Sequence, residues 1–261
     1  MSFPPPSVPP PLPPSSGPSS TSPRARTRRP IMTPRAPQRR SGRGRNPIVV
    51  TNAIISANVG IFVWMALTDT NTLGMSGALS KQATQLVVAR QFIEDGEWYR
   101  LISCGFVHFG LLHIAMNMYL LYQLGKILEP ALGSTKFGLV YFASLLGGSA
   151  GALLITPDAL TGGASGAVFG LMAAAIVGLR HRGVNPWRTG LGATFVINIV
   201  FTLAIPGVSV GGHFGGAIIG AACGAVLLAP THWKLPQWIG FITPIALGAL
   251  SVAVVALFVI R

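Results

Sequence analysis

Apolar and polar positions along this chain separate into long blocks. Roughly 48–67, 106–127, 136–156, 163–179, 190–206, 210–229 and 238–260 are apolar almost throughout. Each approaches the ~17–25 residues that an α-helix needs to cross a bilayer. The pattern predicts seven membrane-spanning helices, the fifth being the shortest. Two of them carry small residues at a helical period: Gly212, Gly216, Gly220 and Gly224 recur every fourth position, as do Gly166, Gly170, Ala174 and Gly178. Stripes of this kind let two helix backbones approach closely.

Composition supports the same fold class. Half of the residues are apolar, only 10% are charged and mean hydropathy is +0.57, whereas a soluble domain carries about a quarter charged residues. Seven nearly uncharged segments in succession leave no soluble fold of which they could be the core. The expected class is therefore an all-α polytopic membrane protein. A net charge of +13 could suggest a nucleic-acid partner, but nine of the nineteen Lys and Arg lie in residues 1–46, where there is no acidic residue. No nucleic acid is expected. The segment 1–46 is rich in Pro and Ser, so it reads as a disordered tail. It has no apolar run before a small-residue cleavage site, unlike a secretory signal, and its prolines oppose the amphipathic helix of a transit peptide.

The charges also suggest an orientation. A cytoplasmic tail, with Arg24 to Arg45 near anionic lipid, followed by seven crossings puts Lys126, Lys136, Arg180, Arg182, Arg188 and Lys234 inside. Asp69, Glu94, Asp95, Glu97 and Asp158 then fall outside with Lys81, Arg90, Arg100 and Arg261, in accord with the bias of basic residues toward the cytoplasm. A plasma-membrane protein with a cytoplasmic N-terminus is expected. Cys104 and Cys223 are too few for a disulfide framework and read as free thiols.

The polar residues inside the apolar blocks carry the chemistry. Ser165 stands in Gly162-Gly163-Ala164-Ser165-Gly166, and His213 in Gly211-Gly212-His213-Phe214-Gly215-Gly216. Their two segments both run inward, so the residues share a layer within ~10 Å of the outer end at 1.5 Å per residue. The second segment also runs inward and brings His113 and Asn117, whose i, i+4 spacing puts them on one face. A lone membrane serine commonly bonds its own backbone, and His113 and Asn117 could join helices. Converging at one depth, the four read as a site, because ionisable groups in the membrane are costly and usually functional. His108 reads as a polar tip at the interface; His181 and His232 read as solvated loop residues.

A serine hydroxyl beside a neutral imidazole suits acyl transfer, with Ser165 as nucleophile and His213 as general base. Backbone N–H groups near Ser165 and Gly163, at the start of a helix, are candidate oxyanion donors, as are the His113 imidazole and the Asn117 amide. Asp158 is the only acidic residue after position 130, which argues for a dyad with no acidic third member. No HExxH or similar ligand set occurs, so neither a metal nor another cofactor is expected.

Three motifs, His113-Ile114-Ala115-Met116-Asn117, Gly163-Ala164-Ser165-Gly166 and Gly212-His213-Phe214-Gly215-Gly216, occur in this order on the second, fourth and sixth segments. In this the chain resembles the rhomboid intramembrane serine proteases. The resemblance covers about 48–230 and implies a six-helix catalytic core (47–230) after the tail (1–46). A cytoplasmic loop and C-terminal seventh transmembrane helix (231–261) complete a 6+1 arrangement. It implies the same roles for Ser165, His213, His113, Asn117 and the backbone at Gly163. Glu97-Trp98-Tyr99-Arg100 is similar to a Trp-Arg element of the family's first external loop, with Tyr99 where Trp is usual. Phe169 stands where a Tyr often packs on the histidine, and Glu129 is similar to a residue that ties loops together. The resemblance implies that the substrate is a transmembrane helix of another protein, entering from the bilayer and cut near the outer leaflet, favoured by helix-breaking residues. An inactive rhomboid-like binder of membrane clients would be expected to lack Ser165 or His213, and a transporter would call for inverted repeats, of which none is clear. The sequence is silent on oligomeric state.

Overall fold

A computed structural model describes residues 48–73 and 79–259. The expected tail and Arg261 lie outside the described residues. Among those described, seven helices of fourteen residues or more follow one another: α1 (Val49–Thr68), α2 (Leu111–Leu132), α3 (Ser134–Ile155), α4 (Ser165–His181), α5 (Leu191–Ala204), α6 (Val210–Leu227) and α7 (Ile239–Phe258). The only sheet-like pairing among them is an isolated bridge between Val88 and Thr161. The chain is an all-α polytopic protein, with one helix in each apolar block.

Helix lengths differ from the sequence expectation in two respects. The second span was expected from 106, yet α2 begins at Leu111. The short preceding helical segment stops at Phe106, and Gly110, at φ +100°, is the N-cap from which α2 starts in a new direction. Arg100–Phe106 and α2 then meet at a 99° bend, and only together do they meet the length and apolarity of a span, which α1, α3, α6 and α7 meet alone. The second difference is that α5 has 14 residues, fewer than expected for the segment 190–206; it and the 17-residue α4 are about 21 Å and 25 Å long at 1.5 Å per residue, against a hydrocarbon core of about 30 Å.

In lipid there is little hydrophobic drive between apolar helices, so association relies on small residues and buried hydrogen bonds. Both are present. α4 is buried almost throughout from Gly166 to Ala175 and sits among α2, α3, α5 and α6. Large side chains such as Phe137, Tyr141 and Leu121 fill its surroundings. Towards α6 the contact is backbone on backbone: a methyl group at Gly216 would overlap the Gly166 carbonyl, and one at Gly220 the Gly170 carbonyl. One at Gly224 would lie 2.6 Å from Ala174 Cα. The two stripes of the sequence thus face each other in register. α7 packs against α3 and α6, away from Ser165.

At the opposite end of the bundle, buried Glu129 near the end of α2 accepts four bonds. The donors are the Val50 and Thr51 N–H groups (both 2.9 Å), Thr51 Oγ1 (2.6 Å) and Ser134 Oγ (2.6 Å). A carboxylate here answers the unpaired N–H groups at the start of α1 and ties α1, α2 and α3 together. The segment between α1 and α2 is organised by Arg100, which is 4% exposed. Its Nη1 donates to the Thr84 and Val87 carbonyls (2.8 and 2.9 Å), its Nε pairs with Glu97, and its guanidinium lies 3.9 Å from the centre of the Phe92 ring. Hydrogen bonds from Arg100 and then Tyr99 hold the Glu97 carboxyl below its ordinary value.

Candidate active site

Ser165 is the first residue of α4, and the turn that delivers it is fastened from outside the helix. Val88 and Thr161 exchange both backbone bonds (3.0 and 2.9 Å), and the Arg90 N–H donates to the Pro157 carbonyl at 2.7 Å. Arg90 also pairs with Asp158 at 3.6 Å. Gly163 takes φ +129°, a conformation that only glycine adopts readily. A side chain there would also crowd the His113 ring, 2.9 Å from its Cε1.

His213 enters from α6, whose first turn is capped by Ser209 Oγ accepting the Gly212 N–H (3.1 Å). Its Nε2 lies 2.7 Å from Ser165 Oγ. The expectation of a shared depth becomes a hydrogen bond between α4 and α6, set by the glycine contact one turn further in. Phe169, one turn after Ser165, stacks on the His213 ring at 4.1 Å between centroids and 14° between planes. A phenyl ring thus fills that face with no hydroxyl.

His113 and Asn117 line the same cavity of about 580 Å³ as Ser165 and His213. The Phe109 N–H donates to His113 Nδ1 at 3.2 Å, so the neutral ring carries its proton on Nε2, where it can be donated. Asn117 Nδ2 spends one N–H on the His113 carbonyl at 2.9 Å, leaving one amide proton for the cavity. Gly163 needs a correction. Its N–H, expected to face an oxyanion, is donated to the Cys104 carbonyl at 2.8 Å. The backbone donor left at this turn is the Ser165 N–H, which has no intrahelical partner at the first position of α4.

Three further histidine or hydroxyl placements differ from or extend the sequence reading. His108 is not a wet tip: it is 1% exposed, its Nε2 accepts the Ala164 N–H at 3.5 Å, and its ring meets His113 edge-on at 5.0 Å. It supports the serine turn from beneath. His181 ends α4 with Nδ1 3.2 Å from the Leu228 carbonyl, half-buried rather than solvated. Thr202 of α5, which the sequence reading passed over, places Oγ1 2.6 Å from His213 Nδ1. Its clue was topological: α5 runs opposite to α2, α4 and α6, so a residue near its end reaches the layer in which those three helices begin. Among the described residues no three His, Cys, Asp or Glu side chains converge as a metal site would require.

Comparison with known proteins points the same way. A model of the Rhomboid domain matches residues 95–230, a stretch containing Ser165, His213, His113, Asn117 and Thr202. The chain is 32% identical over 166 residues to Rhomboid protease GluP of Bacillus subtilis (strain 168), covering 62% of this chain and 31% of that protein. It is 36% identical over 166 residues to RHOMBOID-like protein 5 of Arabidopsis thaliana, covering 59% and 50%. To Rhomboid-type serine protease 2 of Emericella nidulans it is 30% identical over 137 residues, covering 51% and 27%. The chain therefore spans half or less of the length of each of these relatives. A domain match across the whole helical stretch that frames the serine and histidine, on a bundle of apolar helices, makes this chain an integral multi-pass membrane protein of the rhomboid family.

Proposed function

We propose that this chain is an intramembrane serine endopeptidase working through a Ser165–His213 dyad. The observation that carries the reading is the 2.7 Å contact between Ser165 Oγ and His213 Nε2 across two helices of a membrane bundle. Ser165 Oγ attacks the carbonyl carbon of the scissile bond as its proton passes to His213 Nε2. The oxyanion meets His113 Nε2–H, the remaining Asn117 amide proton and the Ser165 N–H, each such donor contributing about 10²–10³ in rate. His213 then returns the proton to the departing amine, and water repeats the sequence on the acyl-enzyme.

The substrate in this reading is a transmembrane segment of another protein, met within the lipid bilayer. Met116 and Leu120 of α2, Phe201 of α5 and Ile205 just after it give the cavity apolar walls, suited to such a segment once its helix opens. Opening is required because a peptide bond inside a helix is shielded by its own hydrogen bonds. A plasma-membrane location with a cytoplasmic N-terminus also belongs to this reading, supported by Arg180, Arg182, Arg188 and Lys234 at the end opposite Ser165. Exposed Trp187, Trp233 and Trp238 lie at that same end, as at a membrane interface.

The test is cleavage of a reporter transmembrane protein by the full chain in liposomes, with labelling by a fluorophosphonate. Wild type is expected to cleave and to label at Ser165, and folded Ser165→Ala and His213→Ala to do neither. Cleavage by a folded Ser165→Ala protein would refute the nucleophile. A wild type that binds the reporter and never cuts or labels would instead make the chain an inactive client-binding protein.

A further inference from the structure

The imidazole of His213 has two nitrogens, and the dyad uses one. A base accepting the Ser165 proton at Nε2 must carry its own proton on Nδ1. In serine proteases of other folds a carboxylate holds that tautomer, and here the region contains none. Thr202 Oγ1 has one proton, and it is donated to the Asn198 carbonyl at 2.7 Å, an oxygen that can only accept. Towards His213 Nδ1, 2.6 Å away, the hydroxyl can therefore only accept. The two bonds together require Nδ1–H and leave the Nε2 lone pair pointing at Ser165.

We propose that Thr202 is the positioning residue of the dyad, a neutral third member that fixes the tautomer and rotation of His213 through the carbonyl of Asn198. This rests on the protease reading above. A second observation supports it independently of the hydrogen bonds. α5 is the most exposed helix around the site, with Ile197, Val200, Phe201 and Leu203 all outward, and its buried residues are Gly192 and Thr202 alone. A polar residue is thus the docking point of the outer half of α5, where an apolar one would seat as well for packing. Phe195 adds a contact from α5 to Phe169 at 5.8 Å, and Phe169 covers the face of His213. The imidazole is held at its edge by Thr202 and on its face by a ring that α5 supports. The base is correctly protonated only while α5 is seated.

The experiment compares Thr202→Val, which keeps the shape and removes the hydroxyl, with Thr202→Ser, which keeps the hydroxyl, in the full chain in liposomes. Forcing the wrong tautomer in a serine-protease triad costs about 10⁴ in kcat. Thr202→Val only releases the constraint, so its kcat should fall by about 10–100-fold, the range found when a partner that fixes the tautomer and orientation of a metal-ligating histidine is removed. KM should stay within about twofold and Thr202→Ser should recover most of the loss. Nitrogen NMR of ring-labelled histidine, with the His213 signals assigned by their loss in His213→Ala, should show Nδ1–H in wild type and Thr202→Ser and mixed tautomers in Thr202→Val. Wild-type kcat or an unchanged nitrogen spectrum in Thr202→Val overturns the proposal, as does an equal loss in Thr202→Ser. Undiminished cleavage by Ser165→Ala would defeat the protease reading instead, and the nitrogen spectra, needing no turnover, would still decide the role of Thr202.

Discussion

The smallest possible change at Gly216, to Ala, tests whether backbone contact between α4 and α6 sets the dyad. The added methyl would overlap the Gly166 carbonyl oxygen outright and stand 2.6 Å from the carbonyl carbon, where ordinary contact begins at 3.4 Å, so the helices must part by at least about 0.8 Å at this point. No side chain can rotate away, because the opposing atoms are backbone. Gly166 adjoins Ser165, and Gly216 lies one turn from His213, so most of that displacement reaches the pair. A 2.7 Å bond stretched towards 3.5 Å is at the limit of hydrogen bonding, and misplacement of about 1 Å in a catalytic pair can cost about 10²-fold. Gly216→Ala should accordingly lower both cleavage and fluorophosphonate labelling by about 10²-fold, and Leu or Val should abolish them. Gly248 of α7 is the control: its nearest neighbour would be the end of the Leu146 side chain at 3.3 Å, which can yield, so Gly248→Ala should stay within about twofold. Equal activity in the two alanine variants would refute the idea that this glycine contact holds the site.

Removing His113 or Asn117 should slow cleavage by about 10²–10³ with little change in reporter binding, and His113→Ala should cost more, since half of the Asn117 amide is already engaged; unchanged rates in both would make them helix contacts only. Glu129→Ala leaves the Val50 and Thr51 donors without their acceptor and should cost about 1–3 kcal/mol of stability, read as a lower unfolding temperature in detergent while the surviving folded fraction keeps its activity per molecule.

Much of this architecture is legible in the sequence because lipid imposes simple rules. Apolar length located all seven helices, and the four-residue glycine period identified which two faces meet. Ser165, His213, His113 and Asn117 stood out because polar groups in apolar blocks are rare. Thr202 did not, for a physical reason: a threonine in a membrane helix ordinarily bonds the carbonyl four residues back, and Thr202 does so. Its second role uses a lone pair that the sequence pattern cannot reveal. His108 looked interfacial because its partner, the Ala164 N–H, lies 56 residues away. The start of α2 was misplaced because Val107–Gly110 continues the apolar run while Gly110 turns the backbone through a left-handed conformation.

The bridge between Val88 and Thr161 has a consequence for how the site comes apart. Val88, Arg90 and Cys104, all from the segment before α2, hold Thr161, Pro157 and Gly163 by backbone bonds, beside the Arg90–Asp158 ion pair, so the residues leading into Ser165 share their hydrogen bonds with a distant loop. Neither strand of that clasp can open while the other stays protected. Amide exchange at Val88, Thr161 and Gly163 is governed by one opening event, and a proteolytic nick in the loop removes the serine from register as surely as a change at the turn itself.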